Sequence, residues 1–576
     1  MTHVLTRSAR SSVMSAARDL STAICDRNGD ALALPNGFPV HVANMSLVAK
    51  SVLELHGHDM RPGDAFLHNS PYHGNTHMAD HTIVVPVFHE DELLFLCACR
   101  GHQADIGNGV PTTYNVRARD IYEEGALCFP GVRVQQDYRD VDDIIRMAKM
   151  RIRVPDVWYG DYLAAIGAAR IGERSLLELV ERHGRETIEA FCAEWQEYGS
   201  RKMADAIGKL PAGRWSNSSR HDGIPGLLDG GVTVGVEVTI IPDQGRVVVD
   251  FRDNADPVAC GLNLCEATVL SAGRTGIMNR MPTDVPLCEG AFDRIEVRMR
   301  EAGVVGKASL PYSSSVATTN VADHAILAVQ GVWSQVDYEL GMAEGAEANG
   351  VENGVISGYD SAHDRHYVTQ IIAGGTGGMG VFGHDGWVDY AISNGSMEEW
   401  NAIEVVEQKY PILYLQQELI PDSMGAGRWD GAPGCRTMIA AVSDPVTFMY
   451  LGDNQETHPR GANGGGDGSG QRAAIVDWRD LLADEQELPL FNSVTLQPGQ
   501  AIIGMTSSGG GYGDPLERDP EAIRHRVREG WLSRSRAREV YGVVLEESSD
   551  CEIDVDATAR ERGRRPVGHV AQGVCR

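Results

Sequence analysis

The 576-residue chain has no apolar run long enough to cross a bilayer; the longest, IVVPVF (Ile83 to Phe88) and LLFLCAC (Leu93 to Cys99), are strand-sized. It also lacks basic excess. With 51 Lys+Arg against 80 Asp+Glu the formal net charge is −29, which repels phosphate backbones and anionic headgroups. The sequence therefore predicts no nucleic acid and no membrane partner. None of the eleven cysteines forms a CxxC pair, and MTHVLTRSARSSVMSAARDL has no apolar core of a secretory signal. A cytoplasmic protein with free thiols is expected, in which Cys97 and Cys99 pack as small hydrophobes.

Two enzymatic motifs are missing as well. A phosphate-binding loop needs GxxxxGK followed by Ser or Thr, but Gly208-Lys209 and Gly306-Lys307 precede Leu210 and Ala308. No GxSxG elbow is present, and Ser396 and Ser508 have no base to activate them. No repeat of 20 to 50 residues is visible.

What is present is a multidomain mixture of α and β. STAICDRNGDALAL reads as two strands around an Asn-Gly turn. Apolar residues from Ile171 to Phe191 fall at helical spacing, with a break near His183-Gly184. VTVGVEVTI alternates strictly, and PDQG leads it back into RVVVDF, so 230–252 is a hairpin with one buried face. GGTGGMG, GANGGGDGSG and SSGGGYGDP read as places where backbones approach closely. After them Asp519 and Pro520 start a helix that Gly530 stops, and SRSRAREVYG makes a second. The expected segments are a β-rich metal-binding region (1–155), a helical segment (156–225), a mixed α/β region (226–345), a Gly-rich β region (346–515), and C-terminal helices with an acidic tail (516–576). Antiparallel hairpin signals outnumber βαβ units, which argues against a single doubly wound parallel sheet.

The densest chemical signal is a cluster of histidines. Six of nineteen (His68, His73, His77, His81, His89 and His102) fall within 35 residues. If HEDE is the turn between the two apolar runs, its centre lies between Glu90 and Asp91 and paired positions sum to about 181. His102 then faces position 79, beside Asp80 and within reach of His77. Two imidazoles and a carboxylate at the open end of a hairpin form a ligand set suited to Zn, Mn or Fe(II). Capping and loop hydrogen bonding are the competing role for these histidines. Asp105 is a further ligand or an orienting group.

Several long blocks resemble the hydantoinase B/oxoprolinase family: NSPYHGNTHMADHTIVVPVF, GHQADIG, EEGALCFPGVRV, GDYLAAIGAARIGERSLLELVERHG, PDSMGAGRWDGAPG and SSGGGYGDPLERDPEAIRHRVREG. The resemblance implies a subunit of an ATP-dependent enzyme that opens cyclic amides such as hydantoins, 5-oxoproline or lactams. The alternative is a subunit of a ketone carboxylase of the acetone or acetophenone type, whose longer chains this length matches less well than it does hydantoinase B subunits. In both groups a hydantoinase A-like subunit, separate or fused, binds ATP and Mg and phosphorylates a substrate oxygen, so for this chain a hetero-oligomer with such a subunit is implied. The family's THxxD segment and later histidine fall on His77, Asp80 and His102. Its early aspartate falls on Asp19, whose competing role is to cap a turn. The implied cofactor is one divalent ion, Zn or Mn. Asp105 and Glu124 are the candidate general bases. The alternative outside catalysis is a scaffold whose metal only stabilises the fold.

Overall fold

The computed structural model describes residues 1–35, 37–346, 350–388, 399–480, 483–547 and 551–563. Ser396 and the end of the acidic tail, from 564 onward, lie outside them. The described chain is a multidomain mixture of antiparallel sheets and helices, and it divides into two compact units. The first holds residues 1–329, 355–372 and 395–402; the second holds 330–354, 373–394 and 403–576.

The first unit is built on a seven-stranded antiparallel sheet. Its strands are β1 (Leu20–Asp26), β2 (Ala31–Ala33), β3 (Ala65–His68), β4 (Asp80–His89), β5 (Glu92–His102), β6 (Val132–Gln136) and β7 (Arg139–Asp140), in the order β2-β1-β5-β4-β3-β6-β7. β4 and β5 lie centrally, which explains why their sequences read as continuous apolar runs: both faces of the sheet are covered. On one face Ile83, Val85, Val87, Cys97 and Cys99 pack with Trp158, Tyr162 and Ala165 of the helix Pro155–His183. On the other Val84, Leu96 and Ala98 pack with Met45, Val48 and Val52 of the helix Met45–His56. Cys97 and Cys99 are buried and unbridged, and burial pushes the Cys97 thiol up to about 12. The helix Met45–His56 lies in a region read from sequence as strands and loops. Its apolar positions 45, 48, 49 and 52 follow a helical period that the neighbouring strand signals obscure.

The expected helical segment is two helices, Pro155–His183 and Arg185–Ile207, separated by Gly184 at φ 82, a left-handed backbone that glycine adopts without strain. A four-stranded sheet follows, with β8 (Gly213–His221), β9 (Val232–Ile241), β10 (Arg246–Asp250) and β11 (Ile295–Arg298) in the order β11-β10-β9-β8. β9 alternates buried and half-exposed residues as its sequence predicts, and β10 pairs antiparallel with it across the PDQG turn. β12 (Val355–Asp360) and β13 (Arg365–Gln370) form a further antiparallel hairpin.

In the second unit β14 (Ile412–Leu419), β15 (Cys435–Ala441), β17 (Arg472–Asp477), β18 (Gln486–Leu488) and β20 (Gln500–Met505) form one sheet, and β16 (Val446–Leu451) pairs with β19 (Phe491–Leu496). The glycine-dense stretches run beside one another at backbone contact. A Cβ added at Gly509 would lie 1.9 Å from the carbonyl oxygen of Gly378, and one at Gly465 would lie 2.0 Å from that of Gly511. Most of these glycines have negative φ, so absence of bulk rather than turn geometry is what they supply. Asp519 caps the helix Pro520–Arg528, and Ser533 caps Arg534–Glu539. Arg526 and Arg518 converge on the buried Asp430, at 3.0 and 3.4 Å, with Tyr541 donating to its other oxygen at 2.9 Å.

Candidate metal centre

The centre begins with a two-residue turn. Glu90 and Asp91 both have positive φ, 50° and 63°, the conformation that twists in register with its flanking strands, and β4 and β5 leave it paired as His89 with Glu92. That much follows the sequence expectation. Between Phe88↔Leu93 and Val87↔Phe95, however, Leu94 is an extra residue. This bulge advances the register by one, so His102 stands opposite Asp80 and not opposite Ala79. No sequence signal marks the bulge, because Leu94 sits in an unbroken apolar run.

At this end of the hairpin three donors converge. His77 Nε2 is 3.0 Å from Asp80 Oδ1, and His102 Nδ1 is 3.3 Å from the same oxygen. All three residues are buried, and their ligand atoms lie within 4.8 Å of one another. Asp19, just before β1, places Oδ2 at 3.7 Å from His102 Nδ1; its side chain is 15% exposed, against 0% for Asp80, which marks the open side of the site. The backbone reinforces this, since the His102 N–H donates to the Asp19 carbonyl at 3.2 Å.

The surrounding chain fixes the donors. The His77 Nδ1–H donates to the Ser315 carbonyl at 3.0 Å, leaving Nε2 with its lone pair toward Asp80. Asn75 donates to the carbonyls of His77 and Asp80 at 3.0 and 2.9 Å and accepts from Arg100 at 3.1 Å. Arg100 is fully buried, with further bonds to Thr82 and Asn44, and burial draws it down to about 10, so it stays charged at neutral pH. The Cys265 thiol donates to the carbonyls of Asn75 and Thr76.

Electrostatics and geometry both fit a cation. Burial raises the cost of the Asp80 charge, but His77 and His41 outweigh it and hold the carboxyl well below its usual range. Burial lowers His102, whereas at His77 the Asp80 charge overcomes burial and raises it. Nε2 of His77 is buried 3.0 Å from Asp80 Oδ1 yet makes no well-aligned hydrogen bond. A buried imidazole nitrogen left this way is costly unless something takes its lone pair, and a nitrogen–oxygen donor set at these spacings suits a divalent ion.

The sequence pattern of the hydantoinase B/oxoprolinase family matches residues 1–515. The chain belongs to this family. It is 29% identical to the caprolactamase subunit beta of Pseudomonas jessenii over 98% of this chain and 96% of that protein. It is 25% identical to 5-oxoprolinase 1 of Arabidopsis thaliana over 86% of this chain and 39% of that longer protein. The crystal structure of the ATP-dependent caprolactamase from Pseudomonas jessenii superposes with a TM-score of 0.88 at 25% identity, covering 98% of this chain and 96% of that one.

The remaining sequence candidates of this hydantoinase B/oxoprolinase-family chain have other surroundings. Asp105 is buried, but its carboxylate accepts from the Gly107 N–H at 3.1 Å, from Arg153 Nη1 at 3.1 Å, and from the Arg153 backbone. Glu124 ends the short helix Ile121–Glu124; it accepts from the Ser313 hydroxyl at 2.7 Å and is raised by burial against the hydrogen bonds of Ser313 and Ser315. Its Oε1 is buried with no hydrogen-bond partner. Of the other clustered histidines, His68 accepts from the Ser70 N–H and His81 from Trp158 Nε1, and burial brings each down to about 3, so both are neutral packing residues. His73 bonds to Ser70 at 2.8 Å. His41 is absent from the sequence candidates: it stands alone in FPVHVAN, 36 residues before His77, and only the fold brings it to Asp80, at 3.0 Å.

Proposed function

We propose that this chain is the metal-bearing subunit of an ATP-dependent enzyme that opens a cyclic amide, such as a hydantoin, 5-oxoproline or a lactam. The observation that carries this reading is the convergence of His77, Asp80 and His102 at the open end of β4–β5, in a chain similar along nearly its whole length to a caprolactamase subunit. Asp19 completes the ligand set, and Zn or Mn occupies it. A hydantoinase A-like partner carries ATP and Mg and phosphorylates the substrate carbonyl oxygen.

When bound, the ion supplies Lewis acidity and brings the pKa of water down toward about 7. This chain's own residues then have separate tasks. Asp80 and the two imidazoles fix the place of reaction. Ser315 holds His77 in the tautomer that leaves Nε2 available. Glu124 serves as the general base: its unbonded Oε1 is buried beside the Ser313–Ser315 loop, and burial raises its carboxyl above the usual range. Asp105, with its lone pairs taken by Arg153 and Gly107, pins the loop after β5.

The test is reconstitution with a hydantoinase A-like subunit and assay of ATP-dependent opening of caprolactam, hydantoin and 5-oxoproline, beside bicarbonate-dependent consumption of acetone and acetophenone. Ring opening of an amide is the expected result. Labelled bicarbonate in product with no ring opening would replace this reading by ketone carboxylation. Ligand variants that still assemble with the partner and keep full turnover would leave only the scaffold role.

A further inference from the structure

His41 is buried in the short helix Pro39–Val42, which leads into the helix Met45–His56. Its Nε2 lies 3.0 Å from Asp80 Oδ2, and because a carboxylate only accepts, Nε2 carries the proton and donates. The Thr76 hydroxyl donates to the same oxygen. With two donors on Oδ2, Asp80 is turned so that Oδ1 faces His77 Nε2 and His102 Nδ1. The other ring nitrogen of His41 points to the Asp19 side, 4.0 Å from Oδ1 and 3.5 Å from the Ser21 hydroxyl. Its own position is fixed through the backbone: the His41 carbonyl accepts from Arg100, and the carbonyl of the preceding Val40 accepts from Asn44 and Ser271. The imidazole thus touches both carboxylates of the centre without joining the three converging donors.

We infer that His41 is a positioning residue of the metal centre, holding the Asp80 carboxylate in the rotation that presents Oδ1 to the ion. The inference rests on the metal reading above. Groups that orient a ligand in this way contribute roughly 10- to 100-fold to metal affinity. A role of this kind also predicts which replacements succeed. Glutamine can place an N–H where Nε2 stands, whereas asparagine reaches only the Nδ1 position and leucine offers no donor.

The experiment uses the full chain, stripped of metal and titrated with Zn(II), Mn(II) and Co(II) against a chelator, with the visible Co(II) spectrum as a second readout. His41→Leu and His41→Asn should bind on the order of 10- to 100-fold more weakly and show an altered Co(II) spectrum, while His41→Gln stays near wild type. Wild-type affinity and spectrum in the leucine or asparagine variant would overturn the inference. So would a glutamine variant as weak as the asparagine one, since the donor at Nε2 would then not matter. If the leucine variant fails to fold, the comparison of glutamine with asparagine decides. A wild-type chain that takes up none of the three ions sinks the metal reading itself, a result distinct from any contrast among the His41 variants.

Discussion

Asp80 and His102 stand directly opposite one another across β4 and β5, and they do so because Leu94 adds one residue to β5 on the far side of the pair. Side chains on a strand alternate faces, so a one-residue slip would turn the strand's whole set over. The bulge at Leu94 therefore absorbs the one residue that would otherwise put His102 opposite Ala79, although it lies well up the strand from His102. Deleting Leu94 should leave a regular hairpin with Phe95 still opposite Val87 and His102 still opposite Asp80, so ion binding should persist. Titration with Co(II) after confirming β content by circular dichroism checks this; loss of binding in a folded deletion variant would contradict it.

Glu124 is the general base proposed above. Glu124→Gln keeps the hydrogen bond from Ser313 but removes the base, so kcat should fall by roughly 10²- to 10⁴-fold while ion content and KM stay near wild type. An Asp105→Asn variant should instead lose stability, because Arg153 loses its ion partner. Steady-state kinetics of the reconstituted complex, with thermal unfolding of both variants, separates the two roles. Unchanged kcat in Glu124→Gln would remove it from the reaction.

Glu352, fully buried in the second unit, has its carboxyl pushed up by burial to about 7, against weaker hydrogen bonds from Gln471 and the backbone. A carboxyl raised in the folded state favours folding in its protonated form. Its contribution is complete below about pH 4.5, the unfolded value, and is lost as pH rises through about 7. Glu352→Gln should remove that loss, so its stability relative to wild type should rise by roughly 3 kcal/mol between pH 4.5 and 8. Thermal unfolding of both proteins across this range is the measurement, and parallel pH profiles would refute it.

Much of this architecture is legible in the sequence, and the rest is hidden for physical reasons. The break at Gly184, the β9–β10 hairpin and the Asp519 cap depend on local chemistry, and the structure places all three where the residues indicate. The glycine stretches are also readable as close backbone contact. The helix Met45–His56 is concealed because one face of a short helix beside strong strand signals carries little pattern. The convergence of His77 and His102 on Asp80 can be counted from the turn, but the bulge at Leu94 cannot. Sheet bulges depend on packing from both faces, which no local pattern records. His41 is invisible for a different reason: it contributes through a contact 39 positions away in sequence.

The glycine lattice allows a paired test. Gly509→Ala would place a methyl 1.9 Å from the Gly378 carbonyl oxygen and should destabilise the second unit by on the order of 3 kcal/mol. Gly167→Ala, in the helix Pro155–His183 with nothing within 4 Å of the added Cβ, should instead stabilise by roughly 0.5–1 kcal/mol. Denaturant unfolding compares them; equal effects would show that backbone proximity does not explain the glycines.

In the proposed centre His77, Asp80 and His102 hold a divalent ion. Elemental analysis of the purified chain and of His77→Ala and His102→Ala, each checked for folding by circular dichroism, measures this most directly. About one Zn or Mn per wild-type chain is expected, and less than about a tenth of that in either variant. Wild-type ion content in both variants would contradict it.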